Sequence, residues 1–118
     1  MCGIFGVIAQ PHDACTRAVV RHIMRDLFLR SESRGREASG VFTVRGDIVH
    51  LLKQACPASS FIRLPAYQTI MRTSIMPHAP CVCIGHSRLM TNGSHEDNRN
   101  NQPMYADTII GVHNGIMI

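Results

Sequence analysis

Apolar residues open the chain in a short run. Gly3 to Ala9 (GIFGVIA) is rich in β-branched residues and interrupted only by Gly6, which predicts a buried strand. Pro11-His12-Asp13 breaks the run, and Asp13 is placed to cap a following helix. From Ala14 to Ser31, apolar residues recur at Val20, Ile23, Met24 and Leu27, the spacing of one helical stripe. Arg17, Arg21, Arg25 and Arg30 fall mostly off that stripe, and Ser33-Arg34-Gly35 ends the helix. Ser39–Arg45 and Ile48–Lys53 flank Gly46-Asp47, the signature of a β-hairpin. Between Pro57 and Thr73, Ile62, Leu64, Tyr67, Ile70 and Met71 predict a helix broken near Pro65. Pro77 and Pro80 mark a loop, and Cys81–Gly85 is a second buried strand. His95 to Gln102 is polar and asparagine-rich, hence a loop; Thr108–His113 is a last strand, closed by Asn114-Gly115. This order predicts an α+β or a layered α/β/β/α arrangement rather than a doubly wound parallel sheet.

Composition narrows the class. At 118 residues the chain is one domain at most, and 45% hydrophobic with 17% charged residues is ordinary for a globular chain. The net charge of +4 comes almost wholly from arginine, since Lys53 is the only lysine. The arginines are scattered: Arg34, Arg36 and Arg88 are expected in loops, apart from the helical set. Aromatic residues are 5%, so neither a lysine-rich run nor Arg/aromatic interleaving marks a nucleic-acid face, and no nucleic-acid partner is expected. The N-terminus lacks a charged region followed by a long apolar run, and no stretch approaches the roughly 18 apolar residues of a membrane helix. These features predict a cytoplasmic protein without a membrane partner. Its five cysteines are then small buried residues or reactive thiols rather than a disulfide framework.

Cys2 is the first candidate for chemistry. It follows the initiator methionine, and removal of Met1 would leave a thiol and a free α-amine on one residue. Such an amine titrates near 7.7–8.0 and can serve as the base for its own nucleophile. Read blandly, Cys2 is a buried thiol at a strand end. Asn114-Gly115 offers a side-chain amide and an unshielded N–H, the donor pair that an oxyanion needs; the same dipeptide also makes a tight turn. Arg88, Thr91, Asn92 and Gly93 follow the second buried strand. An arginine there can grip a carboxylate in a bidentate fork, or pair with a surface acid. Gly35, beside Arg34, is expected to let backbone approach the Cys2 amine closely, or simply to cap the helix. Cys81-x-Cys83-x-x-His86 carries a zinc-like spacing, with His78 or His95 to complete it, but residues two apart on a strand do not form the usual knuckle.

Taken in order, Met1-Cys2-Gly3-Ile4-Phe5-Gly6, Arg34-Gly35 with Ser39-Gly40, Gly85-His86-x-Arg88-x-x-Thr91-x-Gly93, Asn101-Gln102-Pro103 and His113-Asn114-Gly115 resemble the class II glutamine amidotransferase domain. This is the N-terminal-nucleophile glutaminase module of glucosamine-6-phosphate synthase, amidophosphoribosyltransferase and asparagine synthetase. The resemblance spans residues 1–118. It implies a four-layer αββα fold and a Cys2 that attacks the side-chain amide of L-glutamine, passes through a thioester and releases ammonia to a synthase domain or partner. It further implies that Arg88 holds the substrate α-carboxylate, with Thr91, Asn92 and Gly93 shaping that pocket. Asn114 and Gly115 form the oxyanion hole in this reading, Arg34 and Gly35 support the Cys2 end, and neither metal nor cofactor is required.

Several positions depart from the family. Glu37 stands where an aspartate is usual. Leu89 and Asn92 stand where the sugar-synthase branch has a tryptophan and a histidine, and Ser94–Asn100 forms an unusually long loop. The family domain continues well past its Asn-Gly pair to an acidic residue that binds the glutamine α-amine. The chain is therefore expected to be incomplete at its C-terminus and to expose apolar sheet surface. Two alternatives remain open on the sequence. One is a different N-terminal-nucleophile amidase, which shares Cys2 but does not need Arg88 or Asn114-Gly115. The other is a catalytically inactive fragment or interaction module.

Overall fold

The computed structural model describes residues 1–91 and 93–115. It is an α+β fold built on a four-stranded antiparallel sheet. The elements are β1 (Gly3–Ala9), α1 (Ala14–Ser31), a 3-10 turn (Glu32–Arg34), β2 (Ala38–Arg45), β3 (Ile48–Gln54), α2 (Ala58–Phe61), α3 (Pro65–Ser74), β4 (Cys81–Arg88), a 3-10 turn (Asn98–Asn100), β5 (Met104–Ala106) and β6 (Ile109–Gly111). The sheet order is β1-β4-β2-β3, and β5 and β6 form a separate two-stranded ribbon.

Local chemistry explains the boundaries. Asp13 is in extended conformation and its carboxylate accepts the Thr16 N–H at 2.8 Å, so α1 starts with a satisfied cap. Gly46 turns the β2–β3 hairpin with φ +58°, a conformation glycine adopts without strain. Pro65 occupies the first turn of α3, where its missing N–H costs nothing, and separates α3 from the single turn of α2.

All the packed helices lie on one face of the sheet. Val20, Met24 and Phe28 of α1 and Phe61, Tyr67, Met71 and Ile75 from the α2–α3 region pack on Val41, Cys81 and Cys83. Phe28 sits at the centre, with ring centroids 4.7 Å from Phe5, 5.3 Å from Phe61 and 5.5 Å from Tyr67. The helical stripe is therefore rotated from the expected one: Phe28 is buried, while Ile23 is 40% exposed.

Strand alternation sends the other half of the side chains to the opposite face. Ile4, Ile8, Val82, Ile84, Phe42, Val44, Val49 and Leu51 stand there. Ile8 is 81% exposed, and Ile4 and Val49 are close to half exposed. At one end of this face, residues 101–103 cross the sheet. Lys53 Nζ donates to the carbonyls of Asn101 and Pro103, at 2.8 and 3.1 Å, and Gly40 leaves no room for a Cβ beneath the Gln102 carbonyl.

Two elements differ from the sequence reading. β4 runs on through His86, Ser87 and Arg88, so Arg88 is a buried strand residue rather than a loop arginine. Among the described residues, the last strand pairs only with β5, as Tyr105↔Ile110 and its neighbours, and does not join the main sheet. Among the described residues, no helix is long and apolar enough to cross a membrane.

Candidate active site at Cys2

The β1–β4 pairing brings the start of the chain to the end of β4. Gly3 pairs with Ser87, so Cys2 lies one step beyond, at the edge of the ladder. Its sulfur sits on the Leu89 peptide: the Leu89 N–H donates to Sγ at 3.4 Å, and the thiol donates to the Leu89 carbonyl at 3.6 Å. A thiol makes both contacts; a thiolate keeps the first and loses the second. Cys2 is half-buried, so it remains accessible.

Asn114 arrives from 112 residues away. Its Oδ1 accepts the Cys2 N–H at 3.1 Å. With Oδ1 so engaged, the Nδ2 amine is the donor left for a ligand. Cys2, Asn114, Gly115 and Thr91 together line a hollow of about 360 Å³ whose wall includes Leu89. Gly115 has φ +150°, outside the range that side chains favour, so its N–H is presented by a backbone that only glycine adopts easily. With Met1 in place, the Cys2 nitrogen is a peptide nitrogen, and its lone pair is delocalised and not basic.

Gly35 has a different contact from the one expected. It packs on the Arg88–Leu89 peptide rather than on the Cys2 amine, and an added Cβ would overlap the Arg88 carbonyl and the Leu89 nitrogen. Glu37 N–H reinforces this seam by donating to the Arg88 carbonyl at 3.3 Å. Gly35→Ala must therefore push the Leu89 peptide, and with it the Cys2 sulfur. It is expected to cost about 1–3 kcal/mol, as overpacking does, read as a lower urea midpoint at unchanged m-value. Arg34, at the end of the 3-10 turn, lines a second hollow that contains Cys2 and a third beside Glu37.

Arg88 is held from within. Nη1 donates to Asn101 Oδ1 at 2.7 Å and Nη2 to the Gly93 carbonyl at 3.0 Å. Asn101 is fully buried and is itself fixed, donating to the His95 carbonyl at 2.7 Å and to Asn98 Oδ1 at 3.0 Å. Gly93 adopts φ +72°, which turns its carbonyl toward the arginine. Arg88 lines neither hollow at Cys2. Asn92 lies outside the described residues.

Three contributors escaped the sequence reading. Leu89 acts through its backbone, which no side-chain pattern reveals. Asn101 stood in the Asn101-Gln102-Pro103 motif without a role. Gln102 Oε1 accepts the His113 N–H and anchors the strand end that presents Asn114. His86, also buried, sets its Nε2 3.3 Å from the His113 carbonyl.

The zinc-like spacing does not converge. Cys81 and Cys83 point into the helix-covered core, whereas His86 points to the opposite face. Burial pushes the Cys83 thiol up to about 12, so it stays protonated and inert. Among the described residues, no three His, Cys, Asp or Glu side chains gather as metal ligands. No family model, no curated protein and no solved structure matches the chain.

Proposed function

We propose that the chain is the N-terminal part of a class II glutamine amidotransferase domain, and that Cys2, once Met1 is removed, hydrolyses the side-chain amide of L-glutamine. The observation that carries this reading is the meeting of Cys2 with Asn114 at 3.1 Å, beside a hollow that Thr91 and Gly115 also line. A thiol, a side-chain amide and a glycine lining one hollow are the residue types that acyl transfer needs.

In this mechanism the Cys2 α-amine takes the thiol proton and Sγ attacks the amide carbon. Asn114 Nδ2 and the Gly115 N–H hold the oxyanion. The C–N bond breaks, ammonia leaves with the proton from the amine, and a γ-glutamyl thioester remains. Water then attacks the thioester, releasing glutamate and restoring the thiol. The α-carboxylate is assigned to Arg88 by the resemblance alone, since its guanidinium is held on Asn101 and Gly93 and lines neither hollow at Cys2. The four-layer αββα architecture would place a second sheet on the open apolar face, and ammonia would pass to a synthase domain or subunit.

A second reading, an inactive interaction module, is favoured by that same exposed face at Ile4, Ile8 and Val49. Ammonia release from a panel of amides separates the readings. Preference for free L-glutamine supports the glutaminase, preference for another amide points to a different N-terminal-nucleophile amidase, and no turnover favours the module. Arg88→Ala is expected to raise the glutamine KM by about tenfold or more with a smaller change in kcat, because the substrate loses a charge-assisted pair. An unchanged KM would remove Arg88 from the carboxylate role.

A further inference from the structure

The end of α1 docks on the first residue of β1. Gly3 leaves no room for a Cβ against the Ser31 side chain, so the last turn of the helix lies directly beside Cys2. This contact brings Arg30 and Arg34 to a hollow of about 370 Å³ that Cys2, Ser31, Asn114, Phe5 and Leu27 also line. Among the described residues, no acidic one lines it.

What sets Arg30 and Arg34 apart is their shared hollow at Cys2, since Arg21, Arg45, Arg63 and Arg72 also have no ion pair or guanidinium hydrogen bond among the described residues. Arg36 pairs with Glu32 at 3.0 Å, Arg25 with Asp26 at 3.7 Å and Arg99 with Asp97 at 2.7 Å, and Arg17 donates to the Ile75 carbonyl. Among the described residues, the guanidinium groups of Arg30 and Arg34 have neither an ion pair nor a hydrogen bond. Two like charges on one hollow repel each other unless an anion lies between them. The nearby helix C-terminus carries an opposing partial charge of about half a unit, which two full positive charges exceed. Guanidinium forks fit the oxygens of carboxylate and phosphate.

We propose that Arg30 and Arg34 form an oxyanion site beside Cys2, which takes the carboxylate or phosphate of a small molecule and directs its remainder toward the thiol. The site is separate from Arg88, and it stands whether or not Cys2 hydrolyses glutamine. Offsetting the helix dipole is the plainer role for arginines here, and it predicts only a diffuse, salt-screened preference for anions with no saturable suppression by a competitor.

The test compares alkylation of Cys2 by iodoacetate, an anion, with alkylation by neutral iodoacetamide, each quantified at the Cys2 peptide by mass spectrometry. The wild-type ratio of iodoacetate to iodoacetamide rates is expected to exceed that of the double variant Arg30→Gln/Arg34→Gln by about fivefold. An unchanged urea midpoint in the variant shows that the fold is intact, and taking the ratio cancels any change in thiol reactivity common to both reagents. Inorganic phosphate and glutarate are then added as competitors. The one that suppresses wild-type iodoacetate labelling more strongly names the preferred group, and equal suppression marks a general oxyanion site. An equal rate ratio in wild type and double variant, or no suppression by either competitor, overturns the proposal.

Discussion

Cys2→Ala is expected to abolish ammonia release from glutamine, by about a thousandfold or more, while the protein stays folded. The side chain is half-buried, and among the described residues its removal gives up the two sulfur contacts with the Leu89 peptide, each worth about 1 kcal/mol. A loss of activity without a loss of stability would locate the chemistry at Sγ. Retaining Met1 is expected to have a comparable effect by a different route. The nitrogen facing Asn114 Oδ1 would then be an amide with no base character, so the thiol would keep its proton. Intact mass together with an ammonia assay reads both outcomes. Turnover that persists in Cys2→Ala would remove the nucleophile, and turnover that persists with Met1 in place would remove the base.

Acid is expected to destabilise the fold through His86. The residue is 1% exposed on β4, and its Nε2 faces the His113 carbonyl, so Nε2 must carry the proton and donate. Nδ1 is then an unprotonated nitrogen, buried with no partner among the described residues. Burial is the main reason its pKa falls from 6.5 to about 4, and the charges of Arg88 and His113 act in the same direction, against the opposing His113 hydrogen bond. The sign follows from linkage. Between 6.5 and about 4 the unfolded chain binds a proton that the folded chain refuses, so stability is whole above 6.5 and drains as pH falls. The loss across the window is about 3 kcal/mol. Carboxylates with lowered pKa, such as Glu32 held by the Ser59 N–H, lose their share only below 4.5, so the upper part of the window reports His86. Urea midpoints across this range should fall in the wild type and stay flat in His86→Asn. Equal slopes in the two proteins would contradict the assignment. Because His86 leans on His113, the segment presenting Asn114 should loosen in the same range.

Legibility in the sequence depended on how local each signal was. β1 and α1 have the expected bounds because Pro11 and Asp13 punctuate them and Asp13 caps by a contact three residues long. The β2–β3 hairpin is centred on Gly46-Asp47 for the same reason. β4 is longer than its apolar pattern because His86, Ser87 and Arg88 are polar yet buried, and the groups that bond His86 and Arg88 lie on distant segments. β5 carries no alternation: Met104, Tyr105 and Ala106 are all exposed. At the site, residue types were readable, but meetings were not. Nothing in the spacing joins Cys2 to Asn114, gives Asn101 to Arg88, or turns Arg30 toward the thiol. Those contacts arise from strand register and from the docking of α1 on Gly3, which are tertiary facts.

A mechanism-based label decides whether the second residue is the nucleophile. Protein with Met1 removed, verified by intact mass, is incubated with a diazoketone analogue of glutamine, and the adduct is mapped by peptide mass spectrometry. A Cys2 nucleophile requires a single adduct on Cys2, slowed by excess L-glutamine and absent when Met1 is retained. An adduct on Cys15 or Cys56, or labelling of Cys2 indifferent to glutamine and to Met1, would contradict it.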